Sequence, residues 1–271
     1  MARTSKKRAR ELKHDKFRDA TLSAFDRLGD RMEGRGRTLL YVIGAIVALA
    51  ILAGVWSWWR GGRDAEARAA LGRAIQVSEA QVTATPASGS TEQTFPSERE
   101  RAQAALKEFE AVAAKYGDPY DDIARFMAAA QLLTVERARG LSELEALSKS
   151  GNEEVAARAS FALAQAREAD GQHDAAVALY NSLLKDNRSS VPADSVKLRL
   201  ASVYEKQGKK EEAVNLLFDM VKAAREAKDK DGKPAPQSAA ASDAADMLKR
   251  LDAARYEQLP PEAPAGGGLP F

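Results

Sequence analysis

The chain has 271 residues, and its 41 Lys and Arg against 39 Asp and Glu leave a net charge of +2, which carries no overall nucleic-acid signature. With no cysteine and two histidines it has no disulfide framework, thiolate metal site or cysteine nucleophile, and little on which to build zinc or hydrolytic chemistry. Abundant alanine and a 30% charged fraction describe a mainly helical protein, long enough for more than one domain.

Residues 1–37 form a basic arm with 12 Lys or Arg against six acids. Within it Phe17, Thr21, Ala24, Phe25, Leu28 and Met32 recur at helical spacing among basic side chains. That pattern describes either an amphipathic helix on an anionic leaflet or a solvated linker that sets topology. The cluster KKRAR at 6–10 is read as part of that topology signal, not as a nucleic-acid contact.

Residues 38–59, TLLYVIGAIVALAILAGVWSWW, are 22 positions without a charge, ten of them Leu, Ile or Val. As a helix this run is roughly 33 Å long, against a bilayer core of about 30 Å. Trp56, Trp58 and Trp59 sit where an interfacial belt belongs, with Tyr41 near the other boundary. A cleaved signal peptide has a shorter apolar region, about 7–15 residues, ending in small residues at a cleavage site. The expectation is an uncleaved transmembrane helix. Four arginines flank it on each side (Arg27, Arg31, Arg35, Arg37; Arg60, Arg63, Arg68, Arg73), so the local count is tied. The short basic arm then decides the orientation, N-terminus in the cytoplasm and C-terminal domain translocated. An absence of cysteine is compatible with an oxidising compartment.

From residue 60 the pattern becomes amphipathic, with Ala67, Ala70, Leu71, Ala74 and Ile75 on one face of a juxtamembrane helix. ERAQAALKEFEAVAAKYGD reads as its partner, with Ala105 and Phe109 at the crossing. DPYDDIARFMAAAQLL then starts a hairpin behind a proline, and LSELEALSKSG is a short second helix. Residues 157–186 and 194–223 superpose at an offset of 37, matching Leu163 and Ala164 to Leu200 and Ala201, Gly171 to Gly208 and Ala176 to Ala213. Small residues let paired helices approach, glycine permits the turn, and Tyr180 or Leu217 fills the space beyond. This is the logic of the tetratricopeptide repeat, whose period is about 34 residues. The predicted fold class is all-α, a single N-terminal transmembrane helix followed by a solenoid of helical hairpins over 60–225. A flexible insertion is expected at 82–97, a linker and capping helix at 226–256, and a disordered tail rich in proline and glycine at 257–271.

No catalytic, metal or cofactor site is expected. DKDGK at 229–233 resembles a calcium loop, but aligning Gly232 with the loop glycine puts Ala227 and Ser238 where carboxylates are required. His173 stands at a helix turn without a partner histidine and is assigned a structural role. The glycine-rich stretches lack the preceding strand and lysine of a phosphate loop.

Solenoids of this kind present the first helix of each pair on a concave face. Counted from the aligned glycines, its fifth position is Phe126, Phe161 and Leu198, its second Ile123, Arg158 and Ser195, and its ninth Ala130, Gln165 and Ser202; Leu133 extends the first unit. Either this stripe is a groove for an amphipathic helix or a partly unfolded chain, or its apolar members only pack between repeats.

The joint GVWSWWRGGRDAEARAALGRAI, the segment LKEFEAVAAKYGDPYDDIARFMAAAQLL and the repeats at 157–223 resemble the YfgM-like family of inner-membrane proteins. The resemblance implies one anchor in the bacterial inner membrane, a periplasmic tetratricopeptide domain, and an ancillary role at the SecYEG translocon with periplasmic chaperones. The implied partners are the translocon, those chaperones or unfolded exported chains, and the lipid bilayer, with no nucleic acid. The other reading is a cell-envelope adaptor, in division or wall assembly, holding one folded partner.

Overall fold

The computed structural model describes residues 36–83, 93–186 and 189–262, without the side chains of 36–44 and 53–61. The chain divides into two compact units, Met1–Asp64 and Ala65–Phe271.

In the first unit the backbone is helical from Gly36, the start of α1 (Gly36–Glu79). The expected amphipathic arm lies outside the described residues through residue 35. Side chains 45–52 are all apolar and all exposed, Leu49 and Leu52 at 65%, so this length of helix has no polar face. Among the described residues no helix is long and apolar enough to cross a membrane. Those eight side chains cover about 12 Å of helix.

The second unit begins with residues 65–79 of α1, followed by β1 (Gln81–Val82), β2 (Thr94–Phe95), α2 (Glu98–Lys115), α3 (Tyr120–Val135) and α4 (Arg137–Leu147). Then come α5 (Glu153–Ala169), α6 (His173–Lys185), α7 (Ala193–Lys206), α8 (Lys210–Glu226), α9 (Ala239–Leu251) and α10 (Ala253–Tyr256). Helix starts follow local chemistry. Ser97 accepts from the Glu100 amide at the head of α2, and Asn152 accepts from the Val155 amide at the head of α5. Pro119 and Pro192 occupy the capping positions of α3 and α7, where a missing N–H costs nothing.

Each apolar core is shared by successive helices. Ala74 of α1 meets Ala105, Leu106 and Phe109 of α2 and Ala128 and Leu132 of α3. The next joins Ala129 of α3, Leu144 and Leu147 of α4, and Val155, Ala159 and Leu163 of α5. A third links α5, α6 and α7 around Tyr180, and a fourth links α7, α8 and α9 around Leu217 and Leu248. Contacts between neighbours only are the mark of a solenoid. The small residues at the crossings, Ala105, Ala164, Ala176, Ala201 and Ala213, are fully buried, as are Tyr180 and Leu217.

Two turns repeat the same geometry 37 positions apart. Gly171 and Gly208 have φ of 72° and 75°. The Gly171 amide donates to the Glu168 carbonyl and the Gln172 amide to that of Arg167; Gly208 and Lys209 do the same toward Glu205 and Tyr204. This is the Schellman closure, which places a left-handed residue just after the helix.

The structure departs from the sequence expectation in four places. The short partner helix, expected over 141–151, starts at Arg137 and ends at Leu147, because only Glu136 separates it from α3. Such close entry brings Gly140 against the α3 backbone: an added Cβ would stand 2.7 Å from the Leu133 nitrogen and 2.9 Å from the Leu132 carbonyl carbon. At the 82–97 insertion, β1 pairs with β2 and the Thr83 amide donates to the Phe95 carbonyl at 2.8 Å, which brings the two ends together; residues 84–92 lie outside the described set. The helix expected over 239–256 breaks at Asp252, which is extended and caps the Arg255 amide, and Ala241, Ala244 and Leu248 of α9 are core residues. The tail expected from 257 begins with packed residues: Leu259 is buried, and Arg225 donates to the Pro260 carbonyl at 2.7 Å and to the Tyr256 hydroxyl at 3.1 Å.

Candidate protein-binding face

The ten stripe residues lie on the first helices α3, α5 and α7. Ile123, Phe126, Ala130 and Leu133 of α3 are half-buried, and Phe126 and Leu133 lean on the Leu144–Val155–Leu163 core. Phe161 of α5 is half-buried with its ring edge-on to Tyr180, centroids 5.9 Å apart, while Arg158 is exposed and pairs with Glu154 at 2.6 Å. Gln165, Ser195, Leu198 and Ser202 are half-buried, Leu198 against the α8–α9 core. Phe126, Leu133, Phe161 and Leu198 therefore wedge between repeats and keep part of their surface open. The two readings of the stripe meet in the same side chains, since position five of a first helix faces the junction with the next hairpin.

Leu198 and Ser202 come together in a cleft of 470 Å³ between α7 and α9. Its α7 wall includes Arg199, and its α9 wall is Asp243, Asp246, Met247 and Arg250. The sequence reading missed the α9 wall because it treated that helix as a solvating cap. The available signal was spacing: 243, 246, 247 and 250 recur at three and four residues, one face of a helix. Arg250 is held by Glu205 through a bidentate pair at 2.6 and 3.1 Å, across α9 and α7. That guanidinium holds the Glu205 carboxyl below its ordinary value, and the carboxylate raises Arg250 in turn.

One buried charge lies behind the stripe. Glu168 is 7% exposed and accepts from the Tyr180 hydroxyl at 3.1 Å and the Lys206 ammonium at 2.6 Å, joining α5, α6 and α7. Burial pushes the Tyr180 phenol far up, the nearby Glu168 carboxylate adds to this, and Arg199 opposes it. No sequence signal announced this trio, whose outer members are separated by 38 positions.

A second cleft of 370 Å³ lies among α2, α3 and α4, where Arg139 pairs with Glu110 at 2.9 Å. DKDGK closes as a tight turn, with Gly232 at φ 76° and the Asp229 carboxylate accepting from the Asp231 and Lys233 amides, both at 2.9 Å. His173 opens α6 half-buried. Among the described residues no three ligating side chains gather where they could hold a metal ion.

Two family models described as tetratricopeptide repeat match residues 158–190 and 198–231, the stretches that form α5–α6 and α7–α8. The fold is an all-α solenoid of tetratricopeptide-like repeats. A solved Podosopora anserina chain, described as a kinesin light chain with nearly identical TPR-like repeats, is 20% identical, with 59% of this chain and 82% of that one covered at a TM-score of 0.43. No curated protein matches the chain. Neither family match is to a catalytic family, and repeats of this type are protein-binding scaffolds. Nothing in these matches singles out the YfgM-like family.

Proposed function

We propose that the chain is a single-pass inner-membrane scaffold whose repeats face the periplasm and hold exported proteins, their chaperones or the translocon. The observation that carries the binding role is the row of half-open apolar side chains on successive first helices, Phe126, Phe161 and Leu198, each backed by its own core. The anchor rests on the uncharged run at 38–59, on the helical backbone that covers it, and on eight consecutive exposed apolar side chains within it. Exposed apolar surface of that kind needs a lipid or protein cover. Orientation and compartment rest on the basic arm and on the resemblance to the YfgM-like family.

The test uses single cysteines at Ser5 and Ser242, which would be the only thiols in the chain. After the outer membrane is opened, an impermeant maleimide should label position 242 and spare position 5. A photo-crosslinker at Gln165 should then yield adducts with exported chains, chaperones or translocon subunits, and one at exposed Ala223 on α8 should not. Labelling of position 5 alone would overturn the topology. A single folded envelope protein trapped at Gln165 would replace export with the adaptor role.

A further inference from the structure

The α7–α9 cleft differs in charge from the rest of the stripe. Phe126 and Phe161 have alanine, glutamine and arginine among their stripe neighbours, whereas Leu198 shares a cleft with Met247, Asp243 and Asp246, alongside Arg199 and Arg250. Both aspartates are exposed, three positions apart on one face of α9. Neither has a hydrogen-bond or ion-pair partner among the described residues. The local cations offset them only in part, because one of the two lining arginines is already paired. Arg250 is occupied by both oxygens of Glu205, which leaves exposed Arg199 as the one lining cation against the two aspartates. Three carboxylates thus oppose two guanidiniums around a cleft whose apolar surface comes from Leu198 and Met247.

We infer that this cleft takes a cationic amphipathic segment of a partner protein, with an apolar side chain between Leu198 and Met247 and a lysine or arginine against Asp243 and Asp246. The inference rests on the scaffold reading above and adds a selectivity to it. The cleft is open to solvent, and its 470 Å³ is room enough for an apolar side chain. Two unpaired carboxylates at its edge favour a basic ligand and repel an acidic one, which is how charge supplies specificity at an interface. The same arrangement leaves anionic segments to other parts of the stripe.

The test uses the full chain in neutral detergent and two fluorescein-labelled nine-residue peptides, one alternating leucine with lysine and one alternating leucine with glutamate. By fluorescence anisotropy at low salt, the lysine peptide should bind at least about fivefold tighter than the glutamate peptide. Asp243→Asn with Asp246→Asn should remove most of that preference, and Asp243→Lys with Asp246→Lys should reverse it. All proteins should keep the same helical circular dichroism, since both positions are exposed. If the two peptides bind the original protein equally, or the asparagine variant keeps its preference, the charge selection is wrong while the scaffold role stands. If neither peptide binds, both readings fall.

Discussion

The hairpins α3–α4 and α5–α6 look alike as helix pairs, yet they are closed by opposite uses of glycine. In α5–α6, Gly171 lies outside the helices at φ 72°, and nothing stands within 4 Å of the Cβ it lacks. In α3–α4 a single residue joins the helices, and Gly140 lies inside α4 against the α3 backbone. One glycine is there for its torsion and the other for its missing side chain. The junctions beyond differ as well. After α4 the core is apolar throughout, from Ala129 to Leu163, whereas after α6 it contains the Glu168 carboxylate between Tyr180 and Lys206.

The largest effect that would break this comparison belongs to Gly140→Ala. Alanine gains about 1 kcal/mol of helix propensity over glycine, but its Cβ meets backbone atoms that cannot step aside as a side-chain tip can. Overpacking of that kind should leave a net loss of about 2 kcal/mol, read by urea unfolding of the detergent-solubilised chain. An unchanged midpoint would mean that α4 can slide away from α3.

Gly171→Ala and Gly208→Ala should each cost about 1 kcal/mol, the penalty of a left-handed torsion on a residue with a Cβ. Space is not limiting at either position. The two losses should be equal within error, because the two turns have the same hydrogen bonds. Unequal losses would show that the repeats are not equivalent.

The smallest effect is a pH dependence confined to the α5–α7 junction. Tyr180 is raised in the folded state mainly by burial, so its contribution is complete below the unfolded phenol value of about 10 and declines as pH rises beyond it. Stability of the parent chain should therefore fall faster above pH about 10 than that of Tyr180→Phe. Lysine deprotonation affects both proteins, so the difference between their unfolding curves isolates the phenol. Parallel curves would remove the buried network from the comparison.

Tertiary structure decided several features because they depend on groups that meet only after folding. Gly140 reads as an ordinary helical residue until one linking residue presses α4 onto α3. Glu168 and Lys206 are one charge each on separate helices until burial makes them partners of Tyr180. Asp243 and Asp246 belong to what reads as a solvated cap, and they become one wall of a cleft because α9 packs on α7. Leu259 belongs to what reads as a tail, and it is buried because Arg225 draws the chain back across α8.

The sequence by itself determined the repeat: the offset of 37, the alanines at the crossings, the turn glycines and the prolines at helix starts are local requirements written in single residues. It also determined the uncharged run at 38–59, since hydropathy adds along the chain without reference to a fold. The openness of the stripe was left to the fold. How much of Phe126, Phe161 or Leu198 stays exposed depends on how closely the next hairpin packs, and that distance is set by side chains 20 or more positions away.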